Sequence, residues 1–220
     1  MFLVIEDLLS TAEVANLTKL AQQARFVDGR LSNPHNTTKM NVIADLADPA
    51  GQQASQLAFA ALQRNEQAMN FALPQRIAPP NLCRYGVGMT YGAHTDAAYM
   101  AVAGQALRSD VSCTIFISDP TGYQGGELVI HLGSEAVSVK GKPGSAVLYP
   151  STTLHQVVPV ASGERVVMIT FIQSRIPDQM QRELLYKLGE VRALEGLKME
   201  WTNRVQLEHV ITNLQRMWAR

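Results

Sequence analysis

The stretch "GAHTDAA" (92–98) places a histidine and an aspartate two positions apart behind a glycine. In an extended strand, residues i and i+2 point to the same side. His94 and Asp96 can then reach one ion together, or they are two polar residues on the rim of a sheet. If they are ligands, a third is expected from a strand far along the chain. His155, heading "HQVV" (155–158), is the best-placed candidate. His35 falls in a polar loop, His131 inside a strand-like run and His209 in a helical one.

The surroundings of the motif are β-rich. Strand-like runs cover 75–85, 111–118, 126–132, 136–140, 145–149, 154–160 and 165–174. Turn signals separate them, including Asp119-Pro120-Thr121-Gly122 and Lys142-Pro143-Gly144. Many short strands at close spacing point to an antiparallel sandwich or barrel. Before them, 2–5 reads as a strand. Ser10-Thr11-Ala12-Glu13 is a capping box for a helix over 11–24, and Asp48-Pro49 starts a second helix running to about residue 70. The segment 28–47 is polar and poorly periodic. After Pro177, Asp178 caps a helix carrying Met180, Leu184, Leu188 and Val191, Gly196 breaks it, and a last helix carries Val205, Leu207, Ile211, Leu214 and Trp218. The expectation is a mainly β fold with flanking α: a core domain over 1–176 and a helical appendage over 177–220.

The 220 residues carry 19 Lys+Arg and 19 Asp+Glu, so no basic footprint for nucleic acid exists. No apolar run reaches a membrane span, and the apolar start meets Glu6 and Asp7 at once, unlike a signal peptide. A cytoplasmic protein is expected. Cys83 and Cys113 lack a CxxC partner and read as buried, reduced thiols.

Two histidines and one carboxylate on one face of a metal leave the opposite face open, the triad of non-haem Fe(II) oxygenases. Ten residues after His155, Arg165 heads the apolar strand "RVVMITF" (165–171). A charge entering a buried strand is costly unless paired, and a guanidinium fork fits a carboxylate in bidentate fashion. Arg165 therefore suits the far carboxylate of a small dicarboxylate whose other end chelates the metal, or else it closes a structural salt bridge. Residues 97–110 are either a lid over the site or a surface connection. Gly125-Gly126 serves backbone conformation, since no helix follows to make a phosphate loop. The C-terminal helical stripe, with Trp201 and Trp218, suits packing or a subunit interface.

The chain resembles the iron- and 2-oxoglutarate-dependent dioxygenases. Within them it is similar to the bacterial PKHD-type hydroxylases, relatives of the prolyl 4-hydroxylase catalytic domain. The likeness rests on "FVDGR" (26–30), "RYGVGMTYGAHTD" (84–96), "RSDVSCTIFISDPTGYQGGELVI" (108–130), "GSAVLYPSTTLHQVVPVASGER" (144–165) and "FIQSRIPD" (171–178). The resemblance implies a double-stranded β-helix, or jelly roll, with N- and C-terminal helices. It implies Fe(II) on His94, Asp96 and His155, 2-oxoglutarate on Arg165, and a co-substrate pocket shared by Tyr85, Thr114 and Thr170. It implies hydroxylation of an unactivated C–H bond with release of succinate and CO2. Ascorbate is a candidate reductant. The substrate is a small molecule or a prolyl-containing protein, with neither nucleic acid nor membrane as partner, and a homo-oligomer fits. Relatives often read "KNN" where this chain has Lys39-Met40-Asn41, and "HVDNAI" where it has "HTDAAYM". Both departures spare the metal ligands. Retention of Asp96 favours hydroxylation over halogenation. The rival readings are a non-catalytic cupin-like small-ligand barrel and a metal-dependent isomerase, whose usual three-His, one-Glu set is missing.

Overall fold

The computed structural model describes residues 1–34 and 36–220, so His35 lies outside the described residues. In chain order, β1 (Leu3–Ile5) leads to α1 (Thr11–Gln23), then β2 (Phe26–Asp28), β3 (Lys39–Met40) and β4 (Val42–Ala44). Helices α2 (Pro49–Arg64) and α3 (Glu66–Ala72) precede β5 (Pro74–Ile77). The central run is β6 (Asn81–Tyr85), β7 (Thr90–His94), β8 (Tyr99–Val102), β9 (Gln105–Arg108), β10 (Val111–Phe116) and β11 (Tyr123–Gly125). It continues with β12 (Leu128–Leu132), β13 (Glu135–Val139), β14 (Ala146–Pro150), β15 (His155–Val157), β16 (Val160–Gly163) and β17 (Arg165–Ser174), followed by α4 (Gln179–Glu195) and α5 (Trp201–Trp218).

Helix starts follow their local chemistry. Ser10 accepts from the Glu13 amide while the Glu13 carboxylate accepts from the Ser10 amide, closing the expected capping box. Asp48 and Asp178 cap α2 and α4. The α4 helix ends at Glu195, just before Gly196.

Two antiparallel sheets make the core. One has eight strands in the order β1-β14-β10-β17-β6-β4-β2, with β5 also on β17; the other has five, in the order β13-β12-β15-β7-β3. Alternation along each strand sorts the side chains into two clusters. Cys113 and Ile115 of β10, Leu148 of β14, Leu82 of β6 and Met168 of β17 pack against α1–α3 through Leu17, Leu20, Ala58, Leu62 and Phe71. The alternate residues, Cys83 and Tyr85, Phe116, Val147 and Tyr149, and Val167, meet Leu128, Ile130 and Val157 of the second sheet. The second cluster is the interior between the sheets, and the functional side chains stand at its edge.

The structure differs from the sequence expectations in several places. The second helix, expected to run to about residue 70, is two helices, α2 and α3, because Asn65 ends the first and caps the second. The run 154–160 divides into β15 and the start of β16. The segment 28–47 holds β3 and β4, which are too short to show a period and exist by pairing with β7 and β6. The run 75–85 divides into β5 and β6 at Pro79-Pro80, where no backbone N–H is available for a ladder. Residues 97–110 contain the β8–β9 hairpin, turned at Ala103 and Gly104, which both have positive φ.

The hairpin is tied back by Arg76, which donates to the Ala106 carbonyl, and by Arg108, which pairs with Asp110 at 2.8 Å. Helix α4 shares the main core: Tyr186 meets Phe71 edge-on at 5.5 Å between ring centroids, and the buried Arg182 donates to the Ile176, Pro177 and Asp110 carbonyls.

Candidate metal centre

His94 ends β7 and His155 begins β15, and the two stand directly opposite each other in the ladder. Asp96 lies two residues beyond His94, so the three side chains converge. Their ligand atoms all lie within 4.8 Å of one another. Asp96 Oδ1 is 3.9 Å from His94 Nε2, and Oδ2 is 3.7 Å from His155 Nε2. The imidazole centroids are 4.2 Å apart.

Both histidines are held in one tautomer. His94 Nδ1 is 2.7 Å from the Gly92 carbonyl oxygen, and His155 Nδ1 is 2.9 Å from that of Thr153. A carbonyl can only accept, so each Nδ1 carries the proton and each Nε2 offers its lone pair inward. Tyr91 stacks on His94 at 3.6 Å between centroids, and Tyr149 meets His155 edge-on at 5.0 Å. Burial, then the neighbouring His155, pushes His94 down to about 4, so its imidazole is neutral near pH 7. Burial raises Asp96, against opposing effects from His155 and Ser112. Ser112 of β10 donates to Asp96 Oδ2 at 2.5 Å, and its own oxygen lies 2.7 Å from Ser151 Oγ. Two imidazoles and one carboxylate, oriented by backbone carbonyls and a hydroxyl, are a donor set that fits a divalent metal such as Fe(II).

Arg165 heads β17 opposite Tyr85 of β6 and is 2% exposed. Its guanidinium carbon lies 5.0 Å from the Tyr85 ring centroid. Among the described residues no carboxylate comes within 4.0 Å of it, and its Nε is buried without a partner. The expected alternative of a structural salt bridge is therefore absent among the described residues. A buried cation with an orphaned donor fits an incoming carboxylate. Gly126 makes room for it: a Cβ there would come 3.1 Å from Arg165 Cδ and from Tyr123 Cε2. Gly125 and Gly126 both have φ of 71°, so the pair does serve backbone conformation.

The other sequence candidates divide. Tyr85 is buried in the interior cluster beside Arg165, and burial raises its phenol well above the usual value. Thr114 shares the interior-facing side of β10 with Ser112 and Phe116. Thr170 does not line that interior. It alternates with Val167 and Ile169, sits opposite Cys113 on the helix-packed face, and donates its hydroxyl to the Ala78 carbonyl. Its parity on β17 is that of Met168, the opposite of Arg165. His131 on β12 and His209 on α5 take no part in the cluster. Cys83 and Cys113 are free and buried, as expected.

Sequence reasoning missed Lys39, Asn41, Tyr91, Ser112 and Ser151 as site residues. Lys39 and Asn41 are 5% and 4% exposed, whereas Met40 between them is 53% exposed. That alternation is the strand period, and two buried polar residues at i and i+2 in a polar stretch were the available signal. Asn41 Nδ2 lies 2.8 Å from Cys83 Sγ, and its Oδ1 is buried without a partner. Burial lowers the Lys39 ammonium from its ordinary value, against the pull of Cys83, Asp96 and Asp28.

The fold and the triad together define a class, and comparison with known proteins agrees. Residues 80–173 match the 2OG-Fe(II) oxygenase superfamily. A crystal structure of a Pseudomonas putida prolyl-4-hydroxylase superposes with a TM-score of 0.60 at 20% identity, covering 78% of this chain and 92% of that one. A viral collagen prolyl hydroxylase from Paramecium Bursaria Chlorella virus-1, in complex with 2OG, gives 0.55 at 16%, covering 79% and 95%. These likenesses carry the fold.

Sequence relatives carry the family. A PKHD-type hydroxylase of Sphingopyxis alaskensis is 48% identical over the whole of both chains. Another, of Alteromonas mediterranea, is 39% identical over 99% of each. The chain belongs to the PKHD-type hydroxylases, Fe(II)- and 2-oxoglutarate-dependent oxidoreductases within that superfamily.

Proposed function

We propose that this hydroxylase oxidises an unactivated C–H bond of a small molecule or a prolyl-containing polypeptide, with Arg165 as the co-substrate anchor. The observation that carries the reading is the buried, carboxylate-free Arg165 guanidinium beside an interior that also holds the triad. When bound, iron(II) with 2-oxoglutarate supplies the oxidation, in which O2 is consumed, succinate and CO2 leave, and one oxygen atom enters the C–H bond. The chain's own residues bind and orient. His94, Asp96 and His155 would hold the metal. Arg165 fixes the distal carboxylate of 2-oxoglutarate, with Tyr85 and Thr114 along the same interior. The Tyr85, Tyr149 and Leu128 side chains exclude water there.

The two-sheet core is read as a double-stranded β-helix, and the β8–β9 hairpin, directly after Asp96, as a lid. The free cysteines fit a cytoplasmic location, and no helix of the described residues is long and apolar enough to cross a membrane. Ascorbate is the candidate reductant that keeps the metal ferrous.

The test is succinate release from 2-oxoglutarate with Fe(II) over a substrate panel of prolyl peptides, free amino acids and siderophore-like acids. Activity lost in His94→Ala and His155→Ala, and rescued by high 2-oxoglutarate in Arg165→Ala, supports the reading. Unchanged succinate release in all three variants overturns it.

A further inference from the structure

Lys39 is a buried cation without a carboxylate partner among the described residues. Its strand, β3, is the edge of the five-stranded sheet, and Lys39 stands opposite Tyr91 on β7. Tyr91 in turn stacks on the metal ligand His94. The Lys39 ammonium lies 5.0 Å from the Tyr91 ring centroid and 2.5 Å from Ser32 Oγ. Ser32 is a neutral partner, and among the described residues no carboxylate lies within 4.0 Å of this ammonium. The two carboxylates that act on it from farther away are otherwise engaged. Asp28 pairs with Arg30 at 2.6 Å, and Asp96 serves the metal and accepts from Ser112. A desolvated ammonium with a single hydroxyl partner keeps donors to offer.

We infer that Lys39 is the anchor for a carboxylate of the primary substrate, which makes the substrate a free carboxylic acid; this rests on the hydroxylase reading above. Charge balance selects the substrate as the source. Iron(II), Asp96, Arg165, Lys39 and dianionic 2-oxoglutarate together leave the cavity with one positive charge. A monocarboxylate cancels it, and an uncharged segment of a polypeptide does not.

The test uses the full chain loaded with Fe(II) and 2-oxoglutarate under anaerobic conditions, with the visible iron-to-2-oxoglutarate charge-transfer band as readout. The probes are benzoate and its uncharged isostere benzamide. In wild type, benzoate shifts the band at roughly tenfold lower concentration than benzamide, the effect of one charge-assisted pair. Lys39→Met, which keeps the apolar stem, removes that preference and leaves the 2-oxoglutarate titration within about threefold of wild type, while Lys39→Arg retains the preference.

The inference is overturned if wild type does not prefer benzoate or if Lys39→Met keeps the preference. A Lys39→Met variant that instead loses 2-oxoglutarate affinity also overturns it, since Lys39 then serves the co-substrate. Absence of the band in wild type is a separate result and removes the hydroxylase reading itself.

Discussion

A histidine that binds metal through Nε2 needs its other nitrogen held, and both ligands here meet that need within two residues of chain. His94 Nδ1 uses the Gly92 carbonyl and His155 Nδ1 that of Thr153. The same burial that dries the site has a pH consequence. His94 titrates at about 4 in the folded, metal-free chain, against an unfolded value near 6.5. Between those values the unfolded chain binds the extra proton, so stability falls as pH drops through the window. Metal-free wild type should therefore lose as much as ~2–3 kcal/mol relative to His94→Gln between pH 6.5 and 4. Denaturant midpoints of the two proteins across that range check this. Arg165 makes a two-sided prediction. Removing an unpaired buried cation should leave the ligand-free stability of Arg165→Met unchanged or raised. The same variant should lose roughly 2–4 kcal/mol of 2-oxoglutarate binding, seen as loss of stabilisation by the co-substrate in thermal melts. The triad was legible in the sequence because its residue types and spacing carry the chemistry, and Arg165 stands buried at the head of its apolar strand. Lys39 and Ser112 were not, because a lysine in a polar stretch and a serine in a strand read as ordinary until pairing turns them inward.

Individual strands decide which of these side chains face the metal. Parity on β10 sends Ser112 toward Asp96 and Cys113 toward the helices, and parity on β17 sends Arg165 inward and Thr170 away. The expectation for Thr170 failed on that parity, which a count from Arg165 along an unbroken strand already contains. The shortest strands were illegible for a different reason: β3 has two residues, and its existence depends on β7 across the ladder. Ser112 links the two sheets at the metal, so its loss should act on the centre more than on the fold. Ser112→Ala should weaken Fe(II) or Mn(II) binding by roughly tenfold, the usual effect of removing a group that orients a ligand. Anaerobic metal titration measures it, and an unperturbed denaturation midpoint shows that the sheet survives.

At the scale of the molecule, helices α1–α4 pack one face of the large sheet, and the other face meets the second sheet. Helices α1–α3 and α4 feed a single apolar cluster on that outer face, in which Tyr186 of α4 rests on Phe71 of α3. Tyr186→Ala should cost about 3 kcal/mol of stability by opening a cavity there, measured by denaturant unfolding, with metal affinity unchanged because the cavity opens away from the metal. The β core and the capped helices were readable from period and turn chemistry. The closure of two sheets around one opening was not, since it depends on pairings such as β7 with β15 between segments some sixty residues apart. That pairing places His155 against His94, and the account as a whole depends on it. The most direct test is anaerobic titration of 2-oxoglutarate into the Fe(II)-loaded chain, followed by its visible charge-transfer band. A saturable band in wild type that is absent in His155→Ala is the predicted result. No band in wild type, or an equal band in the variant, would contradict it.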